Sequence, residues 1–190
     1  MYGSLLELDL PPVDVVIRYL ELASKDFKPK VSTRPGVSFS HVETPMPELN
    51  RFFYAAIGGR WFWLDRRPWS LARWTEHLAD PSRVETWVLS VNGIPAGYVE
   101  LTSRDGDAVE IDYLGMLHGY IGAGLGAHLL SRACQRAFET GVAKVLVNTC
   151  SLDHPKALAN YEARGFKVVR TEVKTRDIPA TPPGPWDGAA

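Results

Sequence analysis

Glycines at 122, 124 and 126 separate two periodicities that one element cannot carry. Before them, Val109, Ile111 and Tyr113 alternate with Glu110, Asp112 and Leu114. A period of two sends those sets to opposite faces of a strand. After them, Leu125, Leu129, Leu130, Ala133, Ala137 and Phe138 recur at intervals of three and four, the stripe of an amphipathic helix. His128, Arg132, Gln135, Arg136 and Glu139 take its other face, and Gly141 is placed to stop it. The chain must therefore pass from strand to helix inside the glycine run.

Such a turn is an anion site in outline. A helix begins with four amides that lack intrahelical partners, and with a partial positive charge. Glycine removes the side chains that would hold a phosphate away from them. Two cofactor readings compete. Gly122-x-Gly124-x-x-Ala127 fits a dinucleotide fingerprint with alanine in the third place. That reading needs a carboxylate at the end of the next strand, and Lys144–Asn148 ends in neutral Asn148. Too little chain follows for the remaining parallel strands. The second reading is a coenzyme A pyrophosphate loop.

The sequence Asn160-Tyr161-Glu162-Ala163-Arg164-Gly165-Phe166 decides between them. Together with the glycine loop it resembles the GNAT superfamily of acetyl-CoA-dependent N-acetyltransferases. That family carries a Gln/Arg-x-x-Gly-x-Gly/Ala loop and, later, a helix ending in Tyr-Glu-x-x-Gly-Phe. Gly124 and Gly126 take the two glycine places, and Tyr161–Phe166 matches the second motif in full. The resemblance covers Val84–Val173 and is weak before that. It implies an α/β fold with a mixed, mostly antiparallel sheet and helices on both faces. It implies acetyl-CoA as cofactor, held by Leu114, Met116, Ile121, Gly122, Ala123, Gly124, Leu125, Gly126 and His154. There are departures. Ile121 replaces the loop Gln/Arg, so the amides of Gly122–Gly126 must hold more of the pyrophosphate. His118 stands where a proline is common, and His154 where an asparagine is common.

A protonated amine has no lone pair, so acetyl transfer to it needs a base. Glu110 and Asp112 share one face of the strand just before the loop. Glu110 stands where histone-acetylating GNAT enzymes carry a glutamate base, and Asp112 where aminoglycoside 6'-type acetyltransferases carry a catalytic aspartate. Asp112 is placed marginally first, with Glu100 on the preceding strand as a third choice. The resemblance gives Tyr161 the protonation of the leaving thiolate.

Elsewhere the reading is plainer. With 190 residues, 45% of them hydrophobic, one domain is expected over 1–178, with a loose Pro/Gly-rich tail over 179–190. A net charge of -1 argues against a nucleic-acid or membrane-surface partner. Cys134 and Cys150 suggest no disulfide framework, and no His/Cys spacing suggests a metal. No span-length apolar run or signal peptide is visible; Leu5, Leu6, Leu8 and Leu10 are interrupted by charge. The expected protein is cytoplasmic, a monomer or homodimer.

Val13–Leu22 reads as an edge strand or short helix. Thr44-Pro-Met-Pro-Glu48 reads as the start of a helix that Gly58-Gly59 ends, and Ser70 caps another over Leu71–Ala79. Strands follow over Val84–Ser90 and Ile94–Thr102, joined by Asn92-Gly93, and over Val142–Thr149 and Phe166–Val173. Asp153 is placed to cap a helix over Pro155–Arg164. In the aromatic segment up to Trp69, core packing competes with an acceptor pocket lined by Trp61, Trp63 and Trp69. Arg60, Arg66 or Arg67 would there meet an anionic group. The function expected is acetyl transfer to a small-molecule primary amine. A protein N-acetyltransferase and an acyl-CoA sensor without turnover are the alternatives.

Overall fold

The computed structural model describes residues 11–186 and Ala189; the leucines before position 11 lie outside the described residues. The strands are β1 Val13–Ala23, β2 Val37–His41, β3 Val84–Val91, β4 Ile94–Arg104, β5 Ala108–Met116, β6 Lys144–Cys150 and β7 Lys167–Arg176. The helices are α1 Pro47–Gly58, α2 Leu71–His77, α3 Leu125–Glu139 and α4 Ala157–Ala163. The strands form one sheet in the order β2-β3-β4-β5-β6-β1-β7. Only the β5–β6 pair is parallel. A parallel pair needs a long crossover, and the glycine loop and α3 supply it.

Alternation along β4 builds a core on each face. Val99 and Leu101 pack with Leu125, Leu129, Leu130, Ala133 and Ala137 of α3. Tyr98 turns the other way, onto Phe53 and Ile57 of α1. The sheet is thus mixed, mostly antiparallel and covered by helices on both faces. Asn92 and Gly93 take φ of +51° and +80°, the conformation a two-residue hairpin requires. Gly58 and Gly59 end α1 for a different reason. A Cβ on Gly58 would lie 2.4 Å from the Trp63 ring, and one on Gly59 would lie 2.1 Å from the Gly184 carbonyl oxygen.

Several expectations are corrected. β1 is an internal strand between β6 and β7, because Val15, Ile17, Leu20 and Leu22 are all buried; β2 and β7 form the edges. The alternation along β5 breaks at Asp112. Glu100 pairs with Tyr113 and Leu101 with Ile111, so Asp112 is an extra residue opposite no partner. One inserted residue reverses the faces beyond it. Tyr113 joins the α1 core, while Leu114 and Met116 join the α3 core. His128 is buried rather than on an open face, and its Nδ1 accepts the Ser32 amide at 3.0 Å. Asp153 does not cap α4, whose N-cap is Lys156. Its Oδ2 instead accepts Thr149 Oγ1 at 2.7 Å and the Cys150 amide at 2.9 Å. The tail is tied down at Gly184, which donates to Gly59 O at 3.0 Å and accepts from Arg67 Nη1 at 2.8 Å.

Candidate active site

β5 and β6 pair only from Ala108 against Lys144 to Ile111 against Val147. Beyond that point β5 continues to Met116 and β6 to Cys150 without pairing, so the two strands part in a V. On its other side β5 stays bonded to β4. The backbone of residues 113–116 therefore presents a free strand edge to the opening. A cavity of about 730 Å³ fills the V and runs down to the glycine loop.

Gly122 and Gly124 adopt φ of +86° and +77°, which a side chain resists, and Gly124 is the N-cap of α3. Gly126 has no such need. Its φ is not in the left-handed region, and a Cβ there would meet nothing within 4 Å. Nothing in the chain requires glycine at this cavity-lining position. It keeps the first turn of α3 bare toward the opening. The amides of Ile121 and Ala123 are already given to the His118 and Tyr120 carbonyls, at 3.1 and 3.3 Å. The loop amides of Gly122 and Gly124 and those of the first turn of α3 are left for an anion. The residues here fit a phosphorylated cofactor with an extended, amide-bearing arm: a bare helix start for the phosphates and a strand edge for the arm.

Leu114, Met116, Ile121, Gly122, Gly126 and His154 line the cavity. Ala123 and Gly124 belong to the loop without lining it, and Leu125 faces the core at 1% exposure. The His154 Nδ1 accepts the Lys156 amide at 3.0 Å, and its ring meets Trp61 edge-on, 5.0 Å between centroids. Asn160, in the second motif, reaches back to Gly126 O at 3.4 Å and so ties α4 to the loop.

The carboxylates form a chain of alternating charge. Glu100 is fully buried and lies off the cavity; its Oε1 accepts from Arg66 Nη1 and, at 2.8 Å, from His77 Nε2. Its Oε2 accepts from Asn50 Nδ2 at 2.9 Å. Arg66 Nη2 reaches Asp112 Oδ2 at 3.2 Å, where Thr102 Oγ1 also donates at 2.8 Å. Asp112 Oδ1 accepts from Arg104 Nη2 at 2.7 Å, and Arg104 Nε donates to Glu110 Oε2 at 2.7 Å. Glu110 Oε1 has Asn148 Nδ2 at 3.4 Å. Burial, with the Glu100 charge added, pushes Asp112 above the usual carboxylate range. Burial alone would do the same to Glu100, but the His77 hydrogen bond and the Arg66 charge hold it below that range. Ligand atoms of His77, Glu100 and Asp112 come within 4.8 Å of one another, yet the Arg66 guanidinium contacts all three. That group is an ion-pair network, closed to a cation by a fixed positive charge.

Across the V, Tyr161 of α4 lines the cavity with its ring packed edge-on to Phe166. Burial pushes its phenol well above the ordinary range, with Asp153 and Cys134 adding to the effect, so the group holds its proton. Trp61 and Trp63 line the cavity, as expected of an acceptor wall, but Trp69 does not. Trp69 packs on Trp74, His77 and the guanidinium groups of Arg66 and Arg73. Arg66 is committed to Glu100 and Asp112, Arg67 to the Gly184 carbonyl, and Arg60 is not among the lining residues. Sequence reasoning missed Arg104, Asn148 and Arg176, all cavity residues. Arg104 and Arg176 end their strands and Asn148 lies near the end of β6, where no motif marks them.

A strand edge to align a thioester arm, carboxylates able to take a proton and a phenol able to give one are the parts of an acyl-transfer site. The comparisons agree. The model of the acetyltransferase (GNAT) family matches residues 44–166. No curated protein matches. A GCN5-related N-acetyltransferase from Kribbella flavida superposes with a TM-score of 0.62 at 20% identity, covering 86% of this chain and 58% of that one. One from Sphaerobacter thermophilus gives 0.66 at 16%, covering 89% and 55%. The ribosomal-protein-S18-alanine N-acetyltransferase from Escherichia coli gives 0.53 at 21%, covering 68% and 76%. The chain thus spans little more than half the length of the first two. With the family match over most of its length and a site of this construction, the chain belongs to the acetyltransferase (GNAT) family.

Proposed function

We propose that this chain transfers an acetyl group from acetyl-CoA to the primary amine of a small molecule. The observation that carries this is the V between β5 and β6, open onto the start of α3 at one end and onto paired carboxylates at the other. Acetyl-CoA, when bound, supplies an acetyl group activated as a thioester. The loop and first turn of α3 would hold its phosphates, and the free edge of β5 at Leu114 and Met116 would hold the arm. A backbone N–H of that edge would stabilise the carbonyl oxygen as it gains charge. A carboxylate would take the proton that frees the lone pair of the amine. The nitrogen would bond to the carbonyl carbon, and the carbon–sulfur bond would break. Tyr161 Oη would give its proton to the departing sulfur, and the second proton lost by the nitrogen as the amide forms would restore the phenol.

The geometry ranks the bases differently from the sequence. The raised pKa of Asp112 favours a base, but both its oxygens already accept strong hydrogen bonds. Glu110 lines the cavity, and its Oε1 has only a long contact to Asn148. We therefore place Glu110 as the proton acceptor and Asp112 behind it. An aromatic wall of Trp61, Phe62 and Trp63 beside these carboxylates suits a small amine with apolar body. A peptide acceptor, as the name of the Escherichia coli protein states for that enzyme, is the competing reading. No helix among the described residues is long and apolar enough to cross a membrane.

The test is thiol release from acetyl-CoA over panels of small amines and of peptides. Turnover with small amines and none with peptides supports the proposal. Peptide-only turnover selects the competing reading, and coenzyme A binding without turnover on any acceptor makes the protein a sensor.

A further inference from the structure

Arg66, a candidate for meeting an anionic group of the acceptor, is instead turned onto carboxylates of the chain itself. It comes from the loop between α1 and α2, carries no motif, and is only 8% exposed. Its guanidinium is fixed on every side. The carbon lies 4.5 Å from the Tyr113 ring centroid, 4.8 Å from Trp69 and 5.6 Å from Trp74. Its backbone amide donates to Tyr54 Oη at 3.0 Å. One end of the fork is held by Glu100, which is itself locked by His77 and Asn50. The other end reaches Asp112, the bulged residue of β5. A bulge frees a side chain from the sheet's alternation, so its direction must be set by something outside the ladder.

We propose that Arg66 is a positioning residue for the proton-accepting carboxylates, fixing Asp112 and, through Asp112 and Arg104, the cavity-facing Glu110. The connection is geometric. With Oδ2 of Asp112 held by Arg66 and Thr102, Oδ1 is left for Arg104 Nη2. Arg104 is 36% exposed and long enough to swing into solvent. Anchored at Nη2, its Nε meets Glu110 Oε2 and leaves Oε1 of this cavity-lining residue with only the long Asn148 contact. A planar fork serves two carboxylates at once; an ammonium offers neither the plane nor the reach. This inference rests on the acyl-transfer reading above.

The groups facing Asp112 are Arg104, Thr102 and Glu100 from β4, Arg66 from the α1–α2 loop and Glu110 on its own strand. His77 of α2 stands behind them through Glu100. The experiment compares Arg66→Lys with Arg66→Met/Glu100→Gln, the second removing both buried charges together so that neither is left alone. Each is assayed for thermal unfolding, acetyl-CoA affinity by calorimetry, amine kinetics across pH, and titration of the Asp112 carboxyl by carbon-13 NMR. Both are expected to fold and bind acetyl-CoA within twofold of the parent. In each, kcat is expected to fall at least tenfold. In Arg66→Lys the Asp112 titration is expected to move upward, because a hydrogen bond to the charged form is lost. Normal kcat in folded Arg66→Lys overturns the proposal. So does recovery of kcat in the double variant, since charge balance alone would then suffice. Failure of both variants to unfold cooperatively also overturns it, leaving a purely structural residue. If the parent shows no acyl transfer to any amine, the functional reading fails separately. The Asp112 titration then decides, and an unmoved midpoint in Arg66→Lys overturns the positioning role.

Discussion

In the proposed reaction Tyr161 and the two β5 carboxylates would divide the proton transfers between them by environment. A buried phenol facing no cation keeps its proton across the physiological range, which suits giving that proton to a thiolate and rules the group out as a base. Tyr161→Phe is expected to lower kcat at least tenfold with acetyl-CoA affinity unchanged, measured by steady-state kinetics beside calorimetry. A carboxylate base must keep a lone pair for the substrate. Glu110→Gln is therefore expected to lose the acidic limb of the kcat/KM profile and most of the rate. Asp112→Asn, which leaves Arg66 and Arg104 each short of an anionic partner, is expected to lose rate and thermal stability together. The pH profile and melting curve of the two variants check this.

At the scale of elements, the glycine loop and the caps carry separate burdens. Gly126 lies where a side chain strains nothing and touches nothing in the protein. Gly126→Asp is expected to leave the melting temperature unchanged while weakening acetyl-CoA binding at least tenfold, by placing a like charge beside the phosphates. Gly124, at φ +77°, is a poorer test because strain and charge would act together. The Ser70 hydroxyl accepts the Arg73 amide at 3.3 Å and caps α2, the helix that brings His77 to Glu100. Ser70→Ala is expected to cost about 1 kcal/mol in denaturant unfolding.

For the molecule as a whole, the end of the cavity proposed to take the acceptor is assembled from segments far apart in sequence. The loop carrying Trp61 and Trp63 is held from behind by the tail at Gly184 and from beneath by Gly58 and Gly115, against which the Trp63 ring rests. Trp63 is half-buried and also in contact with Tyr54 and Tyr113, so it is wall and packing at once. Trp63→Ala is expected to raise KM for the amine at least fivefold with little change for acetyl-CoA. A melting scan will show a loss of stability below the ~3–5 kcal/mol of a fully buried tryptophan.

The glycine-loop half of the candidate site was legible in the chain because it is local. A strand, a glycine run and a helix adjoin in sequence, and their backbone amides are placed by the turn itself. The Tyr161–Phe166 motif was legible for the same reason. The charge network was not. Arg66 comes from the α1–α2 loop, His77 from α2, Glu100 and Arg104 from β4 and Asp112 from β5. Only the pairing of β4 with β5, and the packing of α1 and α2 over them, brings them together. The face of Tyr113 was misread because alternation assumes an unbroken ladder, and one bulge at Asp112 reverses it. β1 was misplaced because a run of alternating apolar residues reports burial, not which neighbours provide it. Residue spacing determined the type of the segments from α1 onward but left β1 open and β2 unread; long-range pairing decided which charges meet, since Coulomb and hydrogen-bond partners are set by distance in space.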